Sequence, residues 1–165
     1  MPQKAWLFSG TIADNLRFGN EQATETEMEK ALKTAQADFV FSLPQGLNTF
    51  VAQGGTNFSG GQRQRLAIAR ALIRKADLYI FDDSFSALDF QTDAALRKAL
   101  SKEIQDAAVL IIAQRVNTIV NAHQIIVLED GKIAGLGTHK ELMEQCSIYR
   151  EIAESQMKGG KTDGQ

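Results

Sequence analysis

Two uninterrupted apolar runs, Leu78-Tyr79-Ile80-Phe81 and Val109-Leu110-Ile111-Ile112, constrain the fold more than any other feature of the chain. A strand with one wet face alternates polar and apolar residues, whereas a strand buried on both faces reads as a continuous apolar run. Residues 92–104 between the runs have helical periodicity, so this stretch predicts a βαβ unit in a parallel sheet covered on both faces. The first run closes on Asp82-Asp83. Two carboxylates at a strand end offer one oxygen for Mg²⁺ and one for a water, and an unpaired carboxylate there would be costly to desolvate.

Just upstream, Phe58-Ser59-Gly60-Gly61-Gln62 runs into a basic helix with an apolar stripe of Leu66, Ala69 and Ile73, flanked by Ala67 and Leu72. Ser59 is the expected N-cap. The two glycines let backbone N–H groups come close to an oxyanion at the helix start, where unpaired donors and the macrodipole favour negative charge. An isolated Ser-Gly-Gly is more simply a cap with a flexible turn. Followed by Gln62-Arg63-Gln64-Arg65 and set just before the acidic strand, it reads instead as half of a phosphate site. Arg63, Arg65, Arg70 and Arg74 lie mostly off the apolar stripe and are expected on a solvated or domain-facing surface, with help to phosphate binding as the alternative.

The remaining organisation is a chain of local signals. Thr24-Glu25-Thr26-Glu27 is a capping box, followed at helical spacing by Met28, Leu32, Ala35 and Phe39. Pro44-Gln45-Gly46 breaks the chain, and residues 47–51 read as extended before the Gly54-Gly55 turn. Residues 125–128, the Glu129-Asp130-Gly131 turn and residues 133–136 predict a strand pair. Thr138-His139-Lys140-Glu141 is a second capping box opening a C-terminal helix, and a further helix is expected around Ile148 and Ile152. Residues 158–165 are polar, Gly-rich and expected to be disordered.

Composition excludes several classes. A chain of 165 residues with 44% hydrophobic residues can bury one core. A net charge of −2 gives no reason to expect nucleic acid as a partner. The longest apolar run, residues 107–113, falls far short of the roughly 20 residues that a spanning helix needs. The N-terminus has no secretory pattern, and the single cysteine, Cys146, cannot form an internal disulfide. His123 and His139 have no ligand cluster around them and read as surface or capping residues.

Taken in order, the motifs resemble the nucleotide-binding domain of ABC transporters, especially the exporter branch, over nearly the whole chain. The matching residues are Pro2-Gln3 of the Q-loop, Phe8-Ser9-Gly10-Thr11-Ile12, and the signature Phe58-Ser59-Gly60-Gly61-Gln62 with Arg63-Gln64-Arg65. They continue with the Walker B strand 78–83, the D-loop Ser86-Ala87-Leu88-Asp89, and the switch strand Ile111-Ile112-Ala113. Last come Glu129-Asp130-Gly131-Lys132-Ile133 and Gly137-Thr138-His139. The resemblance implies an α/β fold: part of a P-loop NTPase-like parallel sheet with helices, plus the ABC helical subdomain. It divides the chain into a Q-loop segment (1–8), the helical subdomain with the signature (9–75), the Walker B, D-loop and switch part of the ATPase core (76–157) and the tail (158–165).

The resemblance also implies roles. Ser59, Gly60, Gly61 and Gln62 would touch the γ-phosphate of ATP held by a second nucleotide-binding domain. Asp82 would hold Mg²⁺ through water, with Gln3 reaching the same ion, and Asp83 and Gln114 would occupy the two catalytic positions. Ser86, Ala87, Leu88 and Asp89 would meet the second domain, and Trp6 and Phe8 are expected either in the core or against an ABC transmembrane domain. The intact protein would then work at the cytoplasmic face of a membrane.

Departures from the family pattern shape the expectation further. No G-x-x-x-x-G-K-[ST] occurs, so ATP and Mg²⁺ would need a Walker A from other sequence or from a partner. The chain reads as the C-terminal part of a domain without the Walker A strand and N-terminal β-subdomain, and alone it is not expected to hydrolyse ATP. Asp83 stands where glutamate is usual, and one methylene withdraws the carboxylate by about 1.5 Å. A misplacement of about 1 Å can cost roughly a hundredfold in rate. Gln114 replaces the usual histidine and cannot become a cation or carry a proton as imidazole can. Gln53 replaces a common glutamate, and Phe58 is a conservative apolar change from the usual leucine. Asp83 and Gln114 together imply the degenerate site of a heterodimeric exporter. The rival readings are a non-catalytic module that docks on a complete ABC ATPase, and a soluble DNA-repair-type ABC ATPase, against which the lack of heptads and excess charge counts. An exposed apolar sheet edge would favour self-association.

Overall fold

Capping boxes set where four of the helices begin. In this computed structural model, which describes Met1 and residues 3–159 and side chains as far as Gln156, Thr11, Thr24, Ser59 and Thr138 each accept a hydrogen bond from the backbone N–H three residues on. The side chains of Asp14, Glu27, Gln62 and Glu141 return the bond to the cap backbone. Pro2 of the Q-loop pair and residues 160–165 of the expected disordered tail lie outside the described residues. The chain forms two units, Met1–Ile112 and Ala113–Gln165.

In the first unit, Ile12–Arg17 (α1), Glu25–Thr34 (α2) and Gly60–Ile73 (α3) enclose a core that includes Ile12, Leu16, Met28, Leu32, Leu66 and Ile68. The stripe expected on α3 is buried: Leu66, Ala67, Ile68, Ala69, Leu72 and Ile73 all face this core. Gly10–Thr11 (β1) pairs antiparallel with Phe50–Val51 (β2), and short 3-10 turns fill Asp38–Ser42, Gly46–Asn48 and Gln53–Gly55. The extended segment expected over residues 47–51 is therefore reduced to β2.

Helix α2 is shorter than its periodicity predicts. It stops at Thr34 because Gln36 turns left-handed at φ 56°, with the N–H of Gln36 bonded to the Lys33 carbonyl and that of Ala37 to the Leu32 carbonyl. This is a Schellman ending built on glutamine instead of glycine. Ala35 becomes the C-cap, and Phe39 falls in the following 3-10 turn.

Leu78–Asp82 (β3) and Ala108–Ile112 (β4) pair in parallel, Leu78 opposite Ala108 through Asp82 opposite Ile112, joined by the crossover helix Phe90–Glu103 (α4). The βαβ unit is as expected, but coverage on both faces is not. Tyr79 and Phe81 join the core, whereas Leu78, Ile80, Leu110 and Ile112 on the opposite face are 42–51% exposed. Beside β3 runs Met1, whose carbonyl accepts the Asp82 N–H at 3.1 Å and whose amine donates to the Ile80 carbonyl.

In the second unit, Val116–Ile119 (α5) precedes the hairpin of Ile125–Glu129 (β5) and Lys132–Gly137 (β6). Asp130 and Gly131 make the reversal at φ 48° and 75°, a conformation that a two-residue hairpin turn requires and glycine adopts freely. His139–Gln145 (α6) and Ser147–Gly159 (α7) pack on the hairpin side that carries Ile125 and Val127, burying Leu142, Cys146, Tyr149 and Ala153. Among the described residues no helix is long and apolar enough to cross a membrane.

Candidate functional site

Ser59 ends the extended approach to α3 at φ −64°, ψ 162° and is exposed, as is Gly60. The Ser59 hydroxyl accepts the Gln62 N–H at 3.2 Å, and the Gln62 side chain accepts the Ser59 N–H at 2.9 Å. Helix geometry leaves the N–H groups of Gly60 and Gly61 without an intrahelical acceptor. Those donors, the helix dipole and the free hydroxyl proton of Ser59 suit an oxyanion.

Of the arginines expected on a solvated or domain-facing surface, Arg74 is exposed, whereas Arg63, Arg65 and Arg70 are half-buried. Arg63 donates to the Phe58 carbonyl at 2.6 Å, fixing the loop that enters the helix. Arg65 donates to the carbonyls of Gly61 and Gln36 and lies 5.1 Å over the Phe39 ring. Arg70 donates to the Trp6 carbonyl and lies 5.3 Å from the ring centre of Phe8 and 5.9 Å from that of Phe18, and burial pushes its pKa down. Trp6 and Phe8 are themselves exposed, at 45% and 39%. Of the two places expected for them, the core is excluded. Buried Asn15 fixes the same segment by bonding both the N–H and the carbonyl of Phe8.

The acidic strand end turns sharply. Asp83 adopts φ 44°, its N–H donating to the Ile112 carbonyl at 2.8 Å. Its carboxylate is 3.3 Å from the Gln3 side-chain amide, so Gln3 and the second aspartate are brought together. Among the described residues no group of three or more His, Cys, Asp or Glu side chains could hold a metal. Asp82 and Asp83 nevertheless suit Mg²⁺, which is commonly held by one or two carboxylates together with waters and substrate phosphates.

The Ser86-Ala87-Leu88-Asp89 stretch is seated on the start of α3. A Cβ on Gly61 would stand 3.3 Å from the Ala87 carbonyl oxygen, so this close approach depends on glycine. The Ser86 hydroxyl donates to the Asp83 carbonyl at 2.9 Å, and Leu88 is buried. Asp89 caps α4, accepting from the Thr92 N–H at 2.9 Å and the Thr92 hydroxyl at 2.7 Å, bonds that lower its pKa. An open pocket of about 410 Å³ is lined by Gln3, Trp6, Gly60, Arg63, Gln64 and Ala87, among others, and so joins the N-terminal segment, the start of α3 and the turn at 86–87.

Gln114 belongs to the second unit, where it is exposed. Its carbonyl accepts from the Gln156 side-chain amide at 2.7 Å, and the Gln156 oxygen accepts the Val116 N–H at 2.8 Å. One side chain of α7 thus holds both flanks of Arg115. Sequence reading missed Gln156, and named Gln64 only as part of the motif without its contact, because their partners lie far along the chain. His139 places Nδ1 2.8 Å from the Tyr149 hydroxyl, in keeping with a helix-start residue.

The family model described as ABC transporter matches residues 1–86. An ABC transporter ATP-binding protein of Mycobacterium tuberculosis is 52% identical over 159 residues, covering 94% of this chain and 27% of that protein. The human mitochondrial potassium channel ATP-binding subunit is 42% identical over 155 residues, covering 93% of this chain and 21% of that protein. A solved structure of a bacterial Atm1-family ABC exporter with ATP bound matches with a TM-score of 0.91 and 36% identity, over 94% of this chain and 28% of that one. The chain therefore spans about a quarter of the length of the curated relatives it matches.

Proposed function

Because this chain belongs to the ABC transporter family, we propose that it is part of the ATP-binding domain of an exporter and couples ATP to transport in the assembled protein. The observation that carries this reading is the cap with Ser59 and Gly60 exposed, backed at half-buried Gly61 by residues 86–89 and carried in one unit with the Asp82-Asp83 strand end. In the proposed division of labour, residues 1–8 are the Q-loop segment, 9–75 the helical subdomain and 76–157 the core with Walker B, D-loop and switch.

The cap offers backbone N–H groups and a hydroxyl to the γ-phosphate of ATP gripped by a second nucleotide-binding domain, while Ser86, Ala87, Leu88 and Asp89 meet that domain. Gln3, Asp82 and Asp83 face the nucleotide's Mg²⁺ and the attacking water. Mg²⁺ bound with ATP neutralises the charge that develops on the transferred phosphoryl group. Asp83 orients a water from a shorter reach than glutamate would, and Gln114 can hydrogen-bond phosphate without supplying a proton. The catalytic pair is thus the degenerate one of an unlike pair of subunits, and this chain's cap completes its partner's site at the cytoplasmic face. Trp6 and Phe8 stand on the exposed side for contact with the transmembrane domain.

A pull-down with an intact nucleotide-binding domain, with and without ATP, tests the reading together with an ATPase assay on the chain alone. Nucleotide-dependent pairing and no turnover by the chain alone are expected. Appreciable hydrolysis by the purified chain would overturn the division of labour, and pairing indifferent to nucleotide would favour a docking module.

A further inference from the structure

Helix α3 touches the acidic turn through a side chain to which no role has yet been given. Gln64, one turn beyond the cap, is 4% exposed and donates its amide to the Ser84 carbonyl at 2.6 Å. Ser84 is fully buried, and its hydroxyl donates to the Asp82 carbonyl at 3.2 Å. Between them Asp83 holds its left-handed φ, a conformation that a non-glycine residue keeps only when its surroundings impose it. The Ile112 carbonyl fixes the N–H side of Asp83 and the Ser86 hydroxyl its carbonyl side, while Gln64 fixes the next peptide.

We propose that Gln64 is a positioning residue that anchors the Asp82–Ser86 turn to helix α3, so that the phosphate-facing cap and the Asp83 carboxylate move as one body. The identity of the phosphate rests on the nucleotide reading above, whereas the anchoring does not. The chemistry at residue 64 is specific. A buried carbonyl needs a donor, and an apolar side chain of similar length would leave it unsatisfied. A carboxylate of the same shape has no proton to give and repels the carbonyl, but its protonated form donates again.

Backbone amide exchange on the full chain tests this with Gln64→Glu and Gln64→Met. At pH 7 both variants should speed exchange at residues 83–88 at least tenfold, with the α2 amides unchanged. At pH 5, after correction for intrinsic rates, Gln64→Glu should regain most of its protection, because burial raises a carboxyl pKa, whereas Gln64→Met should not. Unchanged exchange at the turn in both variants would overturn the proposal, as would equal acceleration across the whole first unit, which would make Gln64 a residue of general stability. Adding ATP and an intact nucleotide-binding domain separates the two readings. Loss of pairing in the unsubstituted chain counts against the nucleotide reading alone, and pH-reversible exchange still upholds the anchor.

Discussion

The helical layer and the strand pair of the first unit satisfy their apolar residues differently. Helices α1, α2 and α3 meet one another, and Leu16, Leu32 and Ile68 are wholly buried among them. The β3–β4 pair buries Tyr79 and Phe81 on one face and leaves Leu78, Ile80, Leu110 and Ile112 exposed on the other. Each strand carries large apolar residues on both faces. The difference teaches that the helical layer carries its own stability, whereas the sheet has apolar surface to spare for association.

The largest effect should come from the helical side. Ile68→Ala should cost about 2–5 kcal/mol in denaturant unfolding, since it opens a cavity in a filled core. Equal loss from Ile80→Ala would erase the contrast. The caps come next and should be alike in the two regions: Ser59→Ala on α3 and Asp89→Ala on α4 should each cost about 1 kcal/mol, measured the same way. Both residues are placed against the second domain, so each variant should also weaken nucleotide-dependent pairing.

The double change Ile80→Lys with Ile112→Lys should shift stability by only about 0.5 kcal/mol per site, as exposed substitutions do. Its visible effect should be on association. Size-exclusion chromatography should show the parent chain self-associating at high concentration and the variant eluting as a monomer. A monomeric parent would refute the surplus-surface reading of the sheet.

The smallest effect concerns acid. Lys75, beside the end of α3, bonds Glu27 at the start of α2, and this bond chiefly holds the Glu27 pKa at about 2, with the Thr24 cap bonds adding to it. A lowered carboxyl pKa adds stability that is full above the ordinary value of 4.5 and fades as pH falls toward about 2. Since the pair is exposed, Lys75→Ala should flatten acid unfolding only slightly over that range. A large change would show that the helical layer depends on its surface charges.

Sequence reading reached what short-range chemistry specifies. The Thr24 and Thr138 boxes, the Ser59 cap, the α3 stripe, the βαβ order and the Asp130-Gly131 hairpin all depend on neighbours within a few residues. The family motifs brought the candidate residues into view, and their roles await the experiments above. Less legible were features built from distant partners or unusual residues. Gln36 ends α2 in a place where glycine would have announced it. Arg70 looked free in sequence, yet its acceptor is the carbonyl of Trp6, 64 residues away. Gln64 and Gln156 are unremarkable amides until the backbone groups opposite them are known.

Gln156 holds the carbonyl of residue 114 from 42 positions further along the chain. Peeling the last turns of α7 away, by a protease, an appended tag or a binding protein, should therefore slacken the backbone at residues 114–116 with the Gln114 side chain itself untouched. The end of α7 is thus a remote handle on that segment.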